Sequence, residues 1–425
     1  MPHMPLQKRP NDLFISYGHA DQHRINPIVD WLKRYVGLSV WYDAISGDAS
    51  KRTTTLLGNA IQASRGAIFF LSSAWINSAW CGDEHEVALT ERRADDNFLL
   101  LAVRLDNCEI PPWFKIANVL DFHEFQPQSC ADLLRSLSPN PVSRFDSIQD
   151  VYLGAPWNRQ TEIIKKTFQL ISSMGWRLVG DSPNHPRFVD STDRITSIIS
   201  TSRGVVGLLS FDPSRPPTLT SPWIINELYI ALHTKQPYII FAESDVQIPS
   251  ELEIGSFKGR AIRISDDNNL SSIKDILLEF DDELSHQPFN NTKTYSFLAA
   301  SLLGNIKETN DLVSVIEHAS NLTCFQGQGF SGLHVQQEIR NRIRQSLFVI
   351  ADVTDDHRNS LIEAGVAMGA GVPLHLMSKV PENNSLKRRF MFEDIEMNWY
   401  QTPAERLAIA YKIASMYRRH VYYFR

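Results

Sequence analysis

The chain has 425 residues, of which 43% are apolar and 21% charged, with a formal net charge of −6. That length exceeds one ordinary core and suits two or three domains. The negative balance excludes a global basic field for holding nucleic acid, so Lys387-Arg388-Arg389 and Arg418-Arg419 read as solvated surface.

The 4 cysteines stand far apart, at Cys81, Cys108, Cys130 and Cys324. With no C-x-x-C pair, no zinc or other metal site is expected, and they read as reduced thiols of a cytoplasmic protein. Met1 to Asn11 lacks an apolar core, so no secretory signal is expected there. No apolar run approaches the length of a membrane span.

The chain then repeats one plan. Asp12-Leu-Phe-Ile-Ser-Tyr17 predicts a first strand, and Ile25, Ile28, Val29, Leu32 and Val36 have the spacing of one helix face. Strands follow at Leu38–Tyr42, Ala67–Leu71 and Phe98–Ala102. Ser136-Leu-Ser-Pro-Asn-Pro-Val-Ser143 reads as a linker. The next segment gives strands at Asp150–Gly154, Trp176–Val179, Val205–Leu209 and Tyr238–Phe241, with Ile164, Phe168 and Ile171 on a helix. A second linker reads at Ser285-His-Gln-Pro-Phe-Asn-Asn-Thr292. Strands then recur at Tyr295–Ala299, Leu322–Phe325, Leu347–Ile350 and Leu374–Leu376. In each segment the fourth strand is expected to end the series.

Apolar strands alternating with helices predict an α/β fold of three consecutive Rossmann-like or flavodoxin-like units with parallel sheets. The expected domains are 1–140, 145–287 and 290–425. Such sheets bind ligands outside the carboxyl ends of their strands.

Each unit places a glutamate near the start of the helix after its third strand. The segments are Trp80-Cys-Gly-Asp-Glu84-His-Glu-Val-Ala88, Trp223-Ile-Ile-Asn-Glu227-Leu-Tyr-Ile-Ala231 and Asn359-Ser-Leu-Ile-Glu363-Ala-Gly-Val-Ala367. An alanine four residues on shares the glutamate's helix face and lets that face pack on the sheet. These acids read either as cleft residues or as first-turn partners of the helix dipole. Glu86 falls on another face, His85 reads as surface, and Cys81 as packing.

The first unit resembles a TIR domain. The resemblance rests on Phe14-Ile-Ser-Tyr17, Val40-Trp-Tyr-Asp43, the polar loop Ala44–Thr55, Leu57–Ser64, and Leu71-Ser-Ser73 followed by Ser78-Ala-Trp80 and Glu84. TIR domains are scaffolding adaptors or enzymes that hydrolyse NAD+. The resemblance implies that Glu84 is catalytic, stabilising an oxocarbenium-like ribose as nicotinamide leaves. It implies substrate contacts from Ser16, Tyr17, Gly18, His19, Tyr42, Asp43 and Trp80, with Trp41 a further ring. Ser16, Gly18 and His19 would face the phosphates. Many relatives carry a basic residue directly after the tyrosine, where this chain has Gly18.

The third unit, through Phe348-Val-Ile-Ala-Asp-Val-Thr354, Asn359, Glu363-Ala-Gly-Val-Ala-Met-Gly369 and Val372-Pro373, resembles nucleoside 2-deoxyribosyltransferase-like domains. The second opens similarly with Val151-Tyr-Leu-Gly-Ala-Pro-Trp157. In active relatives a glutamate matching Glu363 attacks the sugar, near an aspartate matching Asp352. Residues 150–425 therefore read as a tandem nucleotide sensor with a shared cleft, using Trp157, Asp212, Glu227, Asp352, Asn359 and Glu363. The layout is similar to that of bacterial antiphage TIR effectors, which respond to cyclic oligonucleotides.

Together these imply a cytoplasmic NADase with NAD+ as substrate and no cofactor. It would be activated by a nucleotide messenger through a homo-oligomer or filament, for antiviral defence. Two alternatives stand: an N-glycosidase or deoxyribosyltransferase in the third unit, and a non-catalytic signalling scaffold.

Overall fold

Strands that are apolar on both sides need helices on both sides, and the chain supplies them in alternation. The computed structural model describes residues 9–42, 54–78, 81–94, 98–114, 119–138, 150–156, 161–180, 192–253, 259–265, 270–286, 295–301, 306–327, 335–381, 392–418 and 420–421.

The first unit runs β1 (Leu13–Tyr17), α1 (Gln22–Trp31), β2 (Val40–Tyr42), α2 (Thr54–Gln62), β3 (Gly66–Leu71), α3 (Ser73–Ile76), α4 (Cys81–Ala94), β4 (Leu99–Arg104), β5 (Val119–Asp121) and α5 (Pro127–Leu137). The second runs β6 (Asp150–Gly154), α6 (Glu162–Ser172), β7 (Arg177–Gly180), α7 (Thr192–Ser200), β8 (Gly204–Leu209), α8 (Pro222–His233), β9 (Tyr238–Glu243), α9 (Ser250–Glu253), β10 (Gly259–Ile264) and α10 (Leu270–His286). The third runs β11 (Tyr295–Ala299), α11 (Ile306–Ser320), β12 (Thr323–Gln326), α12 (Val335–Arg344), β13 (Ser346–Asp352), α13 (Arg358–Gly369), β14 (Leu374–Lys379), β15 (Met397–Tyr400), α14 (Pro403–Met416) and β16 (His420–Val421).

The sheets are ordered β2-β1-β3-β4-β5, β10-β9-β8-β6-β7-β16 and β12-β11-β13-β14-β15. Counted within each unit, all three follow the parallel order 2-1-3-4-5. The fold is α/β, with ligand crevices expected where the order reverses between the first and third strands. The central strands β3, β8 and β13 are buried along their whole length.

The fourth strand does not end the series. A fifth parallel strand, β5, β10 or β15, follows in each unit and forms the sheet edge. An edge strand needs little apolar content, which is why three residues of Val-Leu-Asp or the alternating Gly-Arg-Ala-Ile-Arg-Ile suffice. The second sheet gains a sixth strand as well. β16, the last element of the third unit, crosses to the second and pairs antiparallel with β7, Val421 opposite Val179.

The first and third units share one hydrophobic core. Buried Trp31, Leu133 and Leu134 of the first belong to the same cluster as Leu312, Ile316, Leu407 and Ala414 of the third. Polar contacts cross the same interface. Trp31 Nε1 donates to the Ala404 carbonyl at 2.9 Å, and Arg135 lies 3.6 Å from Asp311. Here α1 continues into a π-helical turn, Leu32–Val36, closed by Gly37 at a left-handed φ of 80°. That turn sets Tyr35 against Glu405; burial first, then the carboxylate, raises the phenol above its ordinary value. The second unit keeps two cores of its own, one on each face of its sheet. The dominant packing therefore joins first to third, whereas a cleft shared by second and third was the expectation.

Among the described residues no helix is long and apolar enough to cross a membrane.

Leu134 is fully buried in the shared core. Leu134→Ala is expected to cost about 2–5 kcal/mol. Hydrogen exchange should then speed up in β1–β4 and in β11–β14 together, with β8 and β9 unaffected. Acceleration confined to the first unit would show that the two do not unfold as one body.

Candidate functional site

In the first unit the crevice lies at the carboxyl ends of β1 and β3. Three residues close it from below: Ser16 on β1, Trp75 on α3 and Glu84 in the first turn of α4. The Ser16 hydroxyl donates to Glu84 Oε2 in a short hydrogen bond. The Trp75 indole Nε1 donates to Ser16 Oγ at 2.8 Å. Exposures are 2% for Ser16, 1% for Trp75 and 9% for Glu84.

The supports of this triplet are local and stiff. Ser72 caps α3, its hydroxyl oxygen accepting the Trp75 backbone N–H at 3.0 Å, and the same hydroxyl donates to Asp21. The Trp75 ring meets Phe69 and Phe114 edge-on. Gly18 runs close beneath: a Cβ there would stand 2.8 Å from the Trp75 backbone nitrogen. This is the physical reason no bulkier residue follows Tyr17. Two turns along α4 from Glu84, buried Glu91 pairs with Arg9 at 2.5 Å, and Arg9 also donates to the Ser64 carbonyl at 2.8 Å. The helix carrying Glu84 is thereby pinned to the chain entering β1.

Among the other residues implied for the first unit, Tyr17 and Tyr42 are half-buried and His19 is exposed. The Lys33 ammonium lies 4.7 Å from the centroid of the Tyr42 ring. Trp41 stacks on Phe14 with centroids 5.0 Å apart, so one ring face is occupied. Asp43, Trp80 and most of the Ala44–Thr55 loop lie outside the described residues, as does the Cys81 side chain. Glu86 is exposed. His85 is not a surface residue: it is 5% exposed and its ring lies 4.3 Å from Phe114. Burial lowers its pKa below the ordinary value, because an apolar pocket disfavours imidazolium.

The second and third units repeat the placement of the acid. Glu227 packs so closely on the end of β6 that a Cβ on Gly154 would meet its Oε2 at 2.5 Å. Glu363 packs instead on Gly327, just past the end of the second strand β12, 2.8 Å from where a Cβ would be. Asp212 sits in a turn, accepting from Ser214 N at 3.1 Å and Ser214 Oγ at 2.6 Å. Asp352 accepts from Thr354 N (3.1 Å), Thr354 Oγ1 (2.6 Å), Tyr400 (2.9 Å) and Arg406 Nε (2.7 Å). Four donors fill the acceptor positions of one carboxylate. A ligand would reach Asp352 only by displacing one of them. Asn359 is exposed at the start of α13, and Trp157 lies outside the described residues. Among the described residues no group of three His, Cys, Asp or Glu side chains is placed to hold a metal ion.

Sequence reasoning missed Trp75, Tyr400 and Arg406. Trp75 stands two residues after the quoted Leu71-Ser-Ser73 motif, and an indole beside such serines is a fair signal of a donor in use.

Comparison with known proteins bears on the first unit. The TIR domain family matches residues 13–135. Among solved structures, the TIR domain of the Toll-related receptor TRR-2 from Hydra magnipapillata is similar at 21% identity. It covers 30% of this chain and 98% of that one, with a TM-score of 0.25. No curated protein matches the chain.

Burial pushes the Glu363 carboxyl up to about 7. A folded value above the unfolded one means stability from this group is complete below about pH 4.3 and is lost as pH rises through about 7. Buried His375, pushed down to about 4, has the opposite sign, losing its contribution as pH falls. Comparing Glu363→Gln with the parent cancels the histidine. The variant is expected to gain more in melting temperature at pH 8 than at pH 5, the difference corresponding to about 3 kcal/mol at most. Equal gains at the two pH values would refute the assignment.

Proposed function

We propose that this chain, whose residues 13–135 match the TIR domain family, is an NAD+ hydrolase with Glu84 as its catalytic carboxylate. The observation that carries the reading is the Glu84 carboxylate held at the β1/β3 crevice by Ser16. Cleaving the nicotinamide–ribose bond needs little else. Nicotinamide leaves as a neutral group from a cationic ring, so no proton donor is required. The barrier lies in the oxocarbenium-like ribose, which a fixed carboxylate stabilises. Tyr17, Tyr42 and Trp80 supply ring contacts, and Asp43 is a further substrate contact. Gly18 and exposed His19 border the phosphate side. Ser16 acts on Glu84, since its one proton is directed there.

In this reading the second and third units bind a nucleotide messenger, with Glu227 and Glu363 in the corresponding crevices and Trp157, Asp212, Asp352 and Asn359 around them. Binding promotes a homo-oligomer or filament that switches on NAD+ cleavage, the behaviour of a cytoplasmic antiphage effector. Burial raises the Glu363 carboxyl to about 7, so near neutrality it can also donate a hydrogen bond to a ligand. With Asp352 engaged by Arg406, this favours binding over glycosidase chemistry in the third unit.

The test is nicotinamide release by the purified full chain, given NAD+ and a panel of cyclic oligonucleotides. Glu84→Gln should lower turnover by at least about 100-fold. Equal turnover in the variant, or none from the parent under any ligand or forced clustering, overturns the reading.

A further inference from the structure

We infer that Trp75 is a positioning residue for Glu84, acting through Ser16; the inference rests on the reading of Glu84 as the catalytic carboxylate. Directionality carries it. An indole N–H can only donate. Its bond to Ser16 Oγ, 2.8 Å long, makes that oxygen an acceptor on the Trp75 side. Ser16 has one proton, and it goes to Glu84. Glu84 Oε2 is therefore fixed as an acceptor, the form in which a carboxylate can face a cationic ribose. A serine without the indole is free to turn its hydroxyl elsewhere.

Trp75 is also built to hold still. Its backbone N–H is capped by Ser72, and its ring is wedged between Phe69 and Phe114. The chain at Gly18 approaches too closely for a Cβ. Phenylalanine would serve the packing alone. The indole nitrogen adds a donor to a residue 59 positions earlier in the chain, and aligned hydrogen bonds polarise one another along such a series.

The experiment uses the full chain. Trp75→Phe keeps the ring and removes the donor, and is expected to lower kcat about tenfold with KM within about twofold of the parent. Ser16→Ala should lose as much, the double variant no more than either, and Ser16→Thr should recover most of the loss. A second measurement does not need turnover. The Trp75 indole resonance, followed by 15N NMR, should move on Glu84→Ala when Ser16 is present and stay put in a Ser16→Ala background.

A loss from Trp75→Phe that is equally large in the Ser16→Ala background overturns the proposal, as does an indole resonance indifferent to Glu84. If the parent cleaves no NAD+ but the indole responds through Ser16, the positioning chain stands and the NAD+ reading alone fails.

Discussion

A parallel sheet whose strand order reverses between its first and third strands opens a crevice at their carboxyl ends, because the connections leave in opposite directions. The placement of all three buried glutamates depends on that constraint. The helix after the third strand begins at the crevice, so a residue in its first turn faces the end of the first strand. Glu84 lies in the first turn of α4, and Glu227 and Glu363 lie one turn further along α8 and α13. What stands opposite decides what each can do. Glu84 meets a hydroxyl of the first strand, Glu227 meets Gly154 at the end of the first strand, and Glu363 meets Gly327 just past the second strand. A hydroxyl fixes a carboxylate by a hydrogen bond, and a glycine lets it pack directly against the backbone.

Much of this was legible in the sequence. Central strands such as Gly66–Leu71 and Ser346–Asp352 are buried on both faces, and their uninterrupted apolar runs say so. The fifth strands were not legible, because an edge strand carries no such run. Nor was His85, which follows Glu84 on the same helix; the rings of Phe69 and the distant Phe114 turn its side into an interior. The clamp on Asp352 was equally hidden, since Arg406 arrives from 54 residues away.

One signal pointed to the union of first and third units. In α14 nearly every position from Leu407 to Ala414 is buried. A helix apolar all round is covered on all sides, so it cannot be the outer layer of a single sheet. Its first turn is fixed by the Thr402 cap and by the return of Glu405 to Gln401 N. Three consecutive residues then do different work. Ala404 receives Trp31 of the first unit, Glu405 meets Tyr35, and Arg406 holds Asp352 at the crevice of the third. A change at that crevice and a change at the TIR helix α1 thus share one rigid turn.

The pairing of β16 with β7 also bears on how the molecule comes to exist. A chain emerging from the ribosome presents its second sheet long before the strand that covers β7 has been made. During synthesis of the whole third unit, the β7 edge offers open N–H and C=O groups to any passing strand. The order of translation and the order of closure are different in this protein. Its middle unit is the second to be written and the last to be finished.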